Sequence, residues 1–354
     1  MKIGSLFSGY GGLDLAVMQA FPGSTVAWHC EFDKAPSAIL SHHYPDVPNL
    51  HDVTQVDWEQ VEPVDIITGG SPCQDLSTAG KRAGMTEGTR SNLWVNMREA
   101  IATIQPRLVV WENVQGALSA QAYSSSDMEP GQGLLGSGDG HLRALGRVLG
   151  DLAEIGYDAR WTTIRASDIG APHHRSRVFL IAYPADTGCI GLQAARWGSG
   201  YGAQVAGSVG GAGALPELEY LPTIRVSDSN CGDYPAEHRR DGPSIAAVSV
   251  YFPHLPTPNT MDHLPARDGD IYGRYEPVVR RWEQATGTTA PAPTEINRNG
   301  KPRLNVEFAE WMMGLPKGWV TGVPGLSRSN QLKAIGNGVV PQQAAAALLL
   351  LKGI

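Results

Sequence analysis

The stretch "LFSGYGGLDLA", residues 6–16, carries the first unit of the fold. An apolar strand ends at Phe7, glycines occupy positions 9, 11 and 12, and a helix runs on through Leu13–Ala20. Glycine at such a turn lets a ligand approach the backbone, and the helix N-terminus attracts an anionic group. The spacing is not G-x-G-x-x-G, so the turn departs from the dinucleotide fingerprint.

Outward from this turn the chain alternates strand and helix patterns. Thr25–Cys30 reads as a second strand followed by Glu31 and Asp33, and Lys34–His43 reads as a helix. Val64–Thr68 is a short buried strand. Ser91 is a candidate cap for a helix running to Ile104. Leu108–Trp111 is another apolar strand, with Glu112 and Asn113 directly after it. A helix over His141–Ile155 and strands over Arg160–Arg165 and Val178–Tyr183 complete the series. Such alternation predicts an α/β fold: a largely parallel, doubly wound sheet with helices on both faces. Residues 124–140 are small, polar and glycine-rich, and read as a surface loop.

After Tyr183 the periodicity fades. Residues 185–302 are rich in Gly, Pro, Ser and Thr, with arginines recurring from Arg225 to Arg298 and two similar extended pieces, "LPTIRVSDS" and "LPTPNTMDH". Order returns in residues 303–354, where Arg303–Met313 reads as helical and "AAAALLLLKGI" as a terminal helix docked on the core. The domain expectation is therefore 1–184, an irregular 185–302, and a segment 303–354 that resumes the first domain.

Composition bounds the function. The chain has 354 residues, a hydrophobic fraction of 42% and a net charge of −7, so any polyanion site must be a local basic surface. Four cysteines, Cys30, Cys73, Cys189 and Cys231, form no C-x-x-C pair, which argues against a zinc site or disulfide framework and for a reducing cytosol. No metal is expected. No signal peptide is visible, and the apolar tail is short for a bilayer span.

The chemistry gathers at "GGSPCQDLS", residues 69–77. Cys73 follows a strand expected at the sheet centre, on the edge where such sheets bind ligands. Glu112 should emerge from a neighbouring strand on the same edge. A thiol and a carboxylic acid together suit covalent attack on a ring that is protonated elsewhere. The plain alternatives are a packing cysteine and a loop-capping Glu-Asn pair. Arg175 and Arg177, two apart at the start of a strand, should point the same way and grip a carbonyl or phosphate, or else lie solvated on a strand edge. The glycine turn with an acid ending the second strand also suits S-adenosylmethionine, with Glu31 on the ribose hydroxyls and Asp52 near the adenine amine.

Together these pieces resemble the cytosine-C5 DNA methyltransferases of bacteria and phages. "FSGYGG" is similar to that family's glycine turn, "SPCQDLS" to its Pro-Cys loop and "WENV" to its Glu-Asn-Val motif. "PHHRSR" is similar to its Gln-x-Arg-x-Arg motif, with His173 where glutamine is usual; "RLNVEFAEWMMGLPKGW" and "QLKAIGNGVVPQ" resemble the closing pair. The resemblance implies a Rossmann-like domain that binds S-adenosyl-L-methionine, with the irregular segment as a target-recognition domain. It implies Cys73 as the nucleophile at C6, Glu112 at N3, and Arg175 and Arg177 against the cytosine or a nearby phosphate. Phe7, Gly9, Tyr10, Gly11, Gly12, Glu31, Phe32, Asp52, Val53, Pro72, Leu93, Asn337 and Val339 would line the methyl-donor pocket. The implied partner is double-stranded DNA, contacted by a monomer in the cytoplasm of a bacterial or phage-infected cell, with or without a cognate restriction endonuclease. A tRNA cytosine-C5 methyltransferase on the same scaffold, a nicotinamide-dependent oxidoreductase and a non-catalytic DNA-binding protein are the rival readings.

Overall fold

The computed structural model describes residues 1–71, 93–118, 121–122, 142–185 and 275–353. The loop at 124–140, Ser91, the two similar extended pieces and most of 185–302 lie outside the described residues.

A six-stranded sheet has the order β2-β1-β3-β4-β8-β7, formed by β1 (Lys2–Leu6), β2 (Thr25–Cys30), β3 (Ile66–Gly69), β4 (Leu108–Val114), β7 (Tyr157–Arg165) and β8 (Ser176–Pro184). A two-residue pair, β5 (Gln121–Ala122) with β6 (Leu142–Arg143), stands apart. β1 to β4 are mutually parallel, but β8 runs antiparallel to both β4 and β7. The expectation of a largely parallel sheet thus needs one correction. The segment between Arg165 and Ser176 is too short for a crossover helix, so β8 turns back.

Side chains alternate between two apolar layers, as period-2 strands demand. Ile3, Ile66, Val110 and Phe179 face α1 (Gly12–Ala20) and the C-terminal helix α8 (Pro341–Lys352), meeting Leu13, Val17, Ala344 and Leu348. Leu6, Ile67, Val109, Trp111 and Leu180 face α3 (Trp94–Ile104) and α4 (Ala144–Glu154), meeting Met97, Ile101, Val148 and Leu152. The sheet is covered on both faces, and the tail docks as expected. The stretch Arg328–Lys352 would be long and apolar enough to cross a membrane by length and composition, but most of it is buried in this core.

A third cluster joins the two ends of the chain. Tyr10 and Ile39, the latter on α2 (Lys34–His43), pack with Phe308, Trp311 and Met312 on α6 (Val306–Met312) and with Leu332 and Ile335 on α7 (Arg328–Asn337). Val279 and Trp282 of α5 (Glu276–Thr286) belong to the same cluster, as does Leu304 on β10 (Pro302–Leu304), which pairs with β9 (Thr294–Ile296). The expected boundary at 302/303 therefore runs through one core, because Trp282 also donates its indole N–H to Trp311 O at 3.0 Å. Arg303 lies in a strand, so the expected helix starts only after the Asn305 cap. Strand ends shift too. β4 continues through Glu112 and Asn113, which pair with Phe179 and Val178 instead of capping a loop.

Candidate active site

Glu112 sits near the end of β4 in the middle of the sheet, only 8% exposed. Its Oε1 meets Arg177 Nε at 3.0 Å across the β4–β8 ladder. Gly70 makes room for it, since a Cβ there would lie 3.1 Å from Glu112 Oε2. Burial pushes the Glu112 carboxyl above the usual carboxylate range, while Arg177 and then Arg175 pull it back. The result is a shielded acid that holds a proton more readily than a surface glutamate and is aimed by a guanidinium.

Beside it ends β3. Ser71, 3% exposed, receives three hydrogen bonds from β4: Trp111 Nε1 to its Oγ at 3.3 Å, and Asn113 Nδ2 to its O at 3.2 Å and Oγ at 3.4 Å. Asn113 Oδ1 accepts from Val114 N at 2.8 Å, which fixes the amide orientation. Ser71 directly precedes Pro72 and Cys73, which lie outside the described residues. The structure therefore brings the approach to Cys73 against Glu112.

The two arginines bond different partners. Arg175, with φ 32° and 4% exposure, precedes β8 and donates from Nη2 to Gly336 O at 3.1 Å and to Gly338 O. Its carbonyl accepts from Gln343 Nε2 at 2.8 Å. Among the described residues Arg177 forms the ion pair with Glu112, and Arg175 lies near enough to lower the pKa of the same carboxyl. Neither arginine is solvated, since both side chains are largely buried. His173 is fully buried and its Nε2 donates to Met312 O at 3.1 Å. Burial lowers its pKa to about 3, so the ring is neutral and serves as a strut to α6.

At the other strand ends lies the glycine turn. Gly11 N donates to Ser8 O at 2.9 Å, and Gly9 and Gly11 have φ 56° and 82°, conformations that suit only glycine without strain. A Cβ at Gly9 would meet nothing within 4 Å, so this side of the turn is open. A Cβ at Gly12 would strike Val339 O and the Tyr10 ring. Glu31, directly after β2, accepts from Gly9 N and Asp33 N, both at 2.8 Å, and burial raises its pKa. Phe32 beside it is 71% exposed. Phe7 continues the β1 ladder, donating its N–H to Cys30 O at 2.9 Å. Asp52 caps a short 3-10 turn through Thr54 N at 3.0 Å, and Val53 is buried behind it. Leu93, partly buried, caps α3.

Tyr10 is turned inward. Its ring is fully buried, its hydroxyl donates to Val339 O at 2.6 Å, and its carbonyl accepts from Trp319 Nε1 at 2.8 Å. The ring is a dock for the C-terminal segment and presents no face to a ligand. Val339 and Gly338 are likewise spent on Tyr10 and Arg175. An adenosine-type ligand suits what remains: an open glycine turn, a carboxylate for vicinal hydroxyls, and an exposed aromatic ring.

Sequence reading missed Ser71, Trp111 and Trp319. For Ser71 the adjacent Pro-Cys was a usable signal. For Trp111 and Trp319, partners 40 and 309 residues away left none.

A family model described as C-5 cytosine-specific DNA methylase matches residues 1–197. The type II methyltransferase M.NgoBV of Neisseria gonorrhoeae is 30% identical over 184 residues, covering 51% of this chain and 40% of the relative. M.NlaIV of Neisseria lactamica is 31% identical over 184 residues, with the same coverage of 51% and 40%. The matched part is thus well under half the length of those relatives. A DNMT2 mutant of Spodoptera frugiperda superposes with a TM-score of 0.54 over 99% of both chains at 14% identity, a likeness of fold alone.

Proposed function

Because the chain belongs to the C-5 cytosine-specific DNA methylase family, we propose that it transfers a methyl group from S-adenosyl-L-methionine to C5 of cytosine in a specific duplex DNA sequence. The observation that carries this reading is the buried Glu112–Arg177 pair beside Ser71, two residues before Cys73.

Cytosine C5 is a weak nucleophile. In the proposed path the Cys73 thiolate forms a bond to C6 while Glu112, whose hold on a proton burial strengthens, donates to N3. That hydrogen bond draws electron density from the ring and leaves C5 enamine-like. S-adenosylmethionine, when bound, supplies an electrophilic methyl group. Methyl transfer leaves S-adenosylhomocysteine; a water molecule then takes the C5 proton, the C6–S bond breaks, and Cys73 departs as thiolate, which restores the aromatic ring. Arg177 holds the Glu112 carboxyl in place and limits how far burial raises its pKa. A paired base hides its faces, so the cytosine must leave the stack, at a cost of a few kcal/mol.

For the donor we assign the open turn at Gly9, Gly11 and Gly12, with Glu31 on the ribose hydroxyls and Phe32 against the adenine. Asp52, Val53, Phe7, Leu93, Pro72 and Asn337 complete the proposed pocket, and Tyr10 and Val339 shape it from behind. Target recognition falls to the segment between β8 and α5, read as residues 185–274, since α5 onward shares the C-terminal core. The enzyme is read as a cytoplasmic monomer acting on double-stranded DNA, with a companion endonuclease left to genomic context.

Bisulfite sequencing of DNA from cells expressing the protein tests the reading and reports the target site. Trapping on duplex containing 5-fluorocytosine tests the covalent step: a conjugate at Cys73 is expected, and its loss in Cys73→Ala. Methylation of tRNA without methylation of duplex DNA would overturn the assignment.

A further inference from the structure

The peptide joining Tyr10 to Gly11 is held at both ends. Gly11 N–H donates to Ser8 O at 2.9 Å within the turn, and Tyr10 O accepts from Trp319 Nε1 at 2.8 Å. Trp319 is itself fixed. Its indole stacks on His43 with ring centroids 3.7 Å apart and planes 3° apart, and His43 Nε2 donates to its carbonyl at 2.7 Å. The flanking backbone is gathered by the buried Glu310 carboxylate, which accepts from Gly318 N at 2.8 Å, Val320 N at 2.6 Å, Thr321 N at 2.9 Å and Thr321 Oγ1 at 2.9 Å. A carboxylate with four donors is a firm anchor. The indole is therefore a rigid donor aimed at one carbonyl of the glycine turn.

We propose that Trp319 is a positioning residue for the methyl donor: by pinning the Tyr10–Gly11 peptide it fixes the shape of the turn before the ligand arrives. The inference rests on the reading that S-adenosylmethionine binds at this turn. Gly11, in the left-handed region at φ 82°, has no Cβ to bias the peptide plane. Without the indole N–H the Gly11–Ser8 bond alone restrains the plane, and binding must complete its ordering. A turn ordered in advance avoids that entropic cost and binds more tightly. Trp319 makes no contact with the reacting atoms in this account, so the effect falls on donor affinity and spares the chemical step.

The test is the Trp319→Phe variant of the full chain, which keeps an aromatic ring on His43 and removes the N–H. Calorimetric titration with S-adenosylmethionine should show a Kd raised about five- to tenfold, the value of one hydrogen bond. The saturated kcat should stay near wild type, and the melting temperature of the ligand-free protein should fall by only the few degrees that one buried hydrogen bond is worth. Hydrogen exchange at the Tyr10–Leu13 amides of the ligand-free variant should quicken. An unchanged Kd overturns the proposal. So does a raised Kd accompanied by a much larger fall in melting temperature and a lower saturated kcat, which marks general loosening. Should that variant fold poorly, His43→Leu leaves the indole in place but removes its support, and a Kd equal to wild type there is equally fatal. Failure of the wild-type protein to bind S-adenosylmethionine at all sinks the donor-site reading itself, a result distinct from equal binding by wild type and variant.

Discussion

Asp14, on the first turn of α1, is fully buried and accepts from Ser5 Oγ and Thr68 Oγ1, both at 2.8 Å. Burial raises its pKa from 3.8 to about 6, against the pull of those two hydroxyls. A carboxyl with a raised folded-state pKa contributes stability below its unfolded value and loses it as pH rises through the folded one. Relative to Asp14→Asn, the wild-type protein should therefore lose up to about 3 kcal/mol between pH 4 and 6. Urea unfolding of both proteins across that range checks it, and parallel stability curves would refute it. Glu112 offers a kinetic counterpart. Arg177 holds its pKa down, so Arg177→Gln should let burial raise it further. If protonated Glu112 serves N3, the fall of the single-turnover methylation rate with rising pH should move to higher pH. A shift to lower pH would contradict the role given to the pair.

The junction of β3 and β4 is where elements make the site. Ser71 is tied to Trp111 and Asn113, so the entry to Cys73 keeps its register against Glu112. Trp111→Phe and Ser71→Ala should each slow adduct formation with 5-fluorocytosine DNA by about fivefold. Combined, they should slow it little more than Ser71→Ala alone, since that change already breaks the bond lost in Trp111→Phe. Donor affinity should not change; fully additive losses would speak against the link. Much of this architecture was legible. The limits of β2 and α2 matched their sequence patterns residue for residue, because clear breaks bound both. The end of β4 was not, because Glu112 and Asn113 look like turn residues. Only the opposing Phe179 and Val178 of β8 hold them in the ladder. The reversal of β8 lay hidden for a related reason: an apolar run carries no direction, and the short link after Arg165 was the available clue. Cys73, Glu112 and the glycine turn carry residue types that point to chemistry, whereas nothing in the sequence announces that Arg175 and Tyr10 bond Gly336, Gly338 and Val339 of a distant segment.

At the scale of the whole molecule, the two ends of the chain share their cores. α8 lays Ala344, Ala345, Leu348 and Leu351 against Leu13, Val17, Val110 and Phe179. Removing residues 341–354 should bare that apolar face, and at about 25 cal/mol per Å² the loss exceeds what a marginally stable domain tolerates. The expected result is insoluble protein on expression, checked by fractionation beside the full chain; a soluble truncation with a wild-type melting transition would disprove it. The latch of Trp319 on Tyr10, 309 residues apart in sequence, extends into the protein's biosynthesis. A ribosome emits the glycine turn near the start and its clasp only after the variable segment has passed. Through that interval the N-terminal half waits with one wall missing, its oily side open to neighbours in the polysome. Contacts so far apart slow folding and lengthen the exposure. Translation speed and chaperone supply should accordingly govern the yield of this protein more than its final stability does.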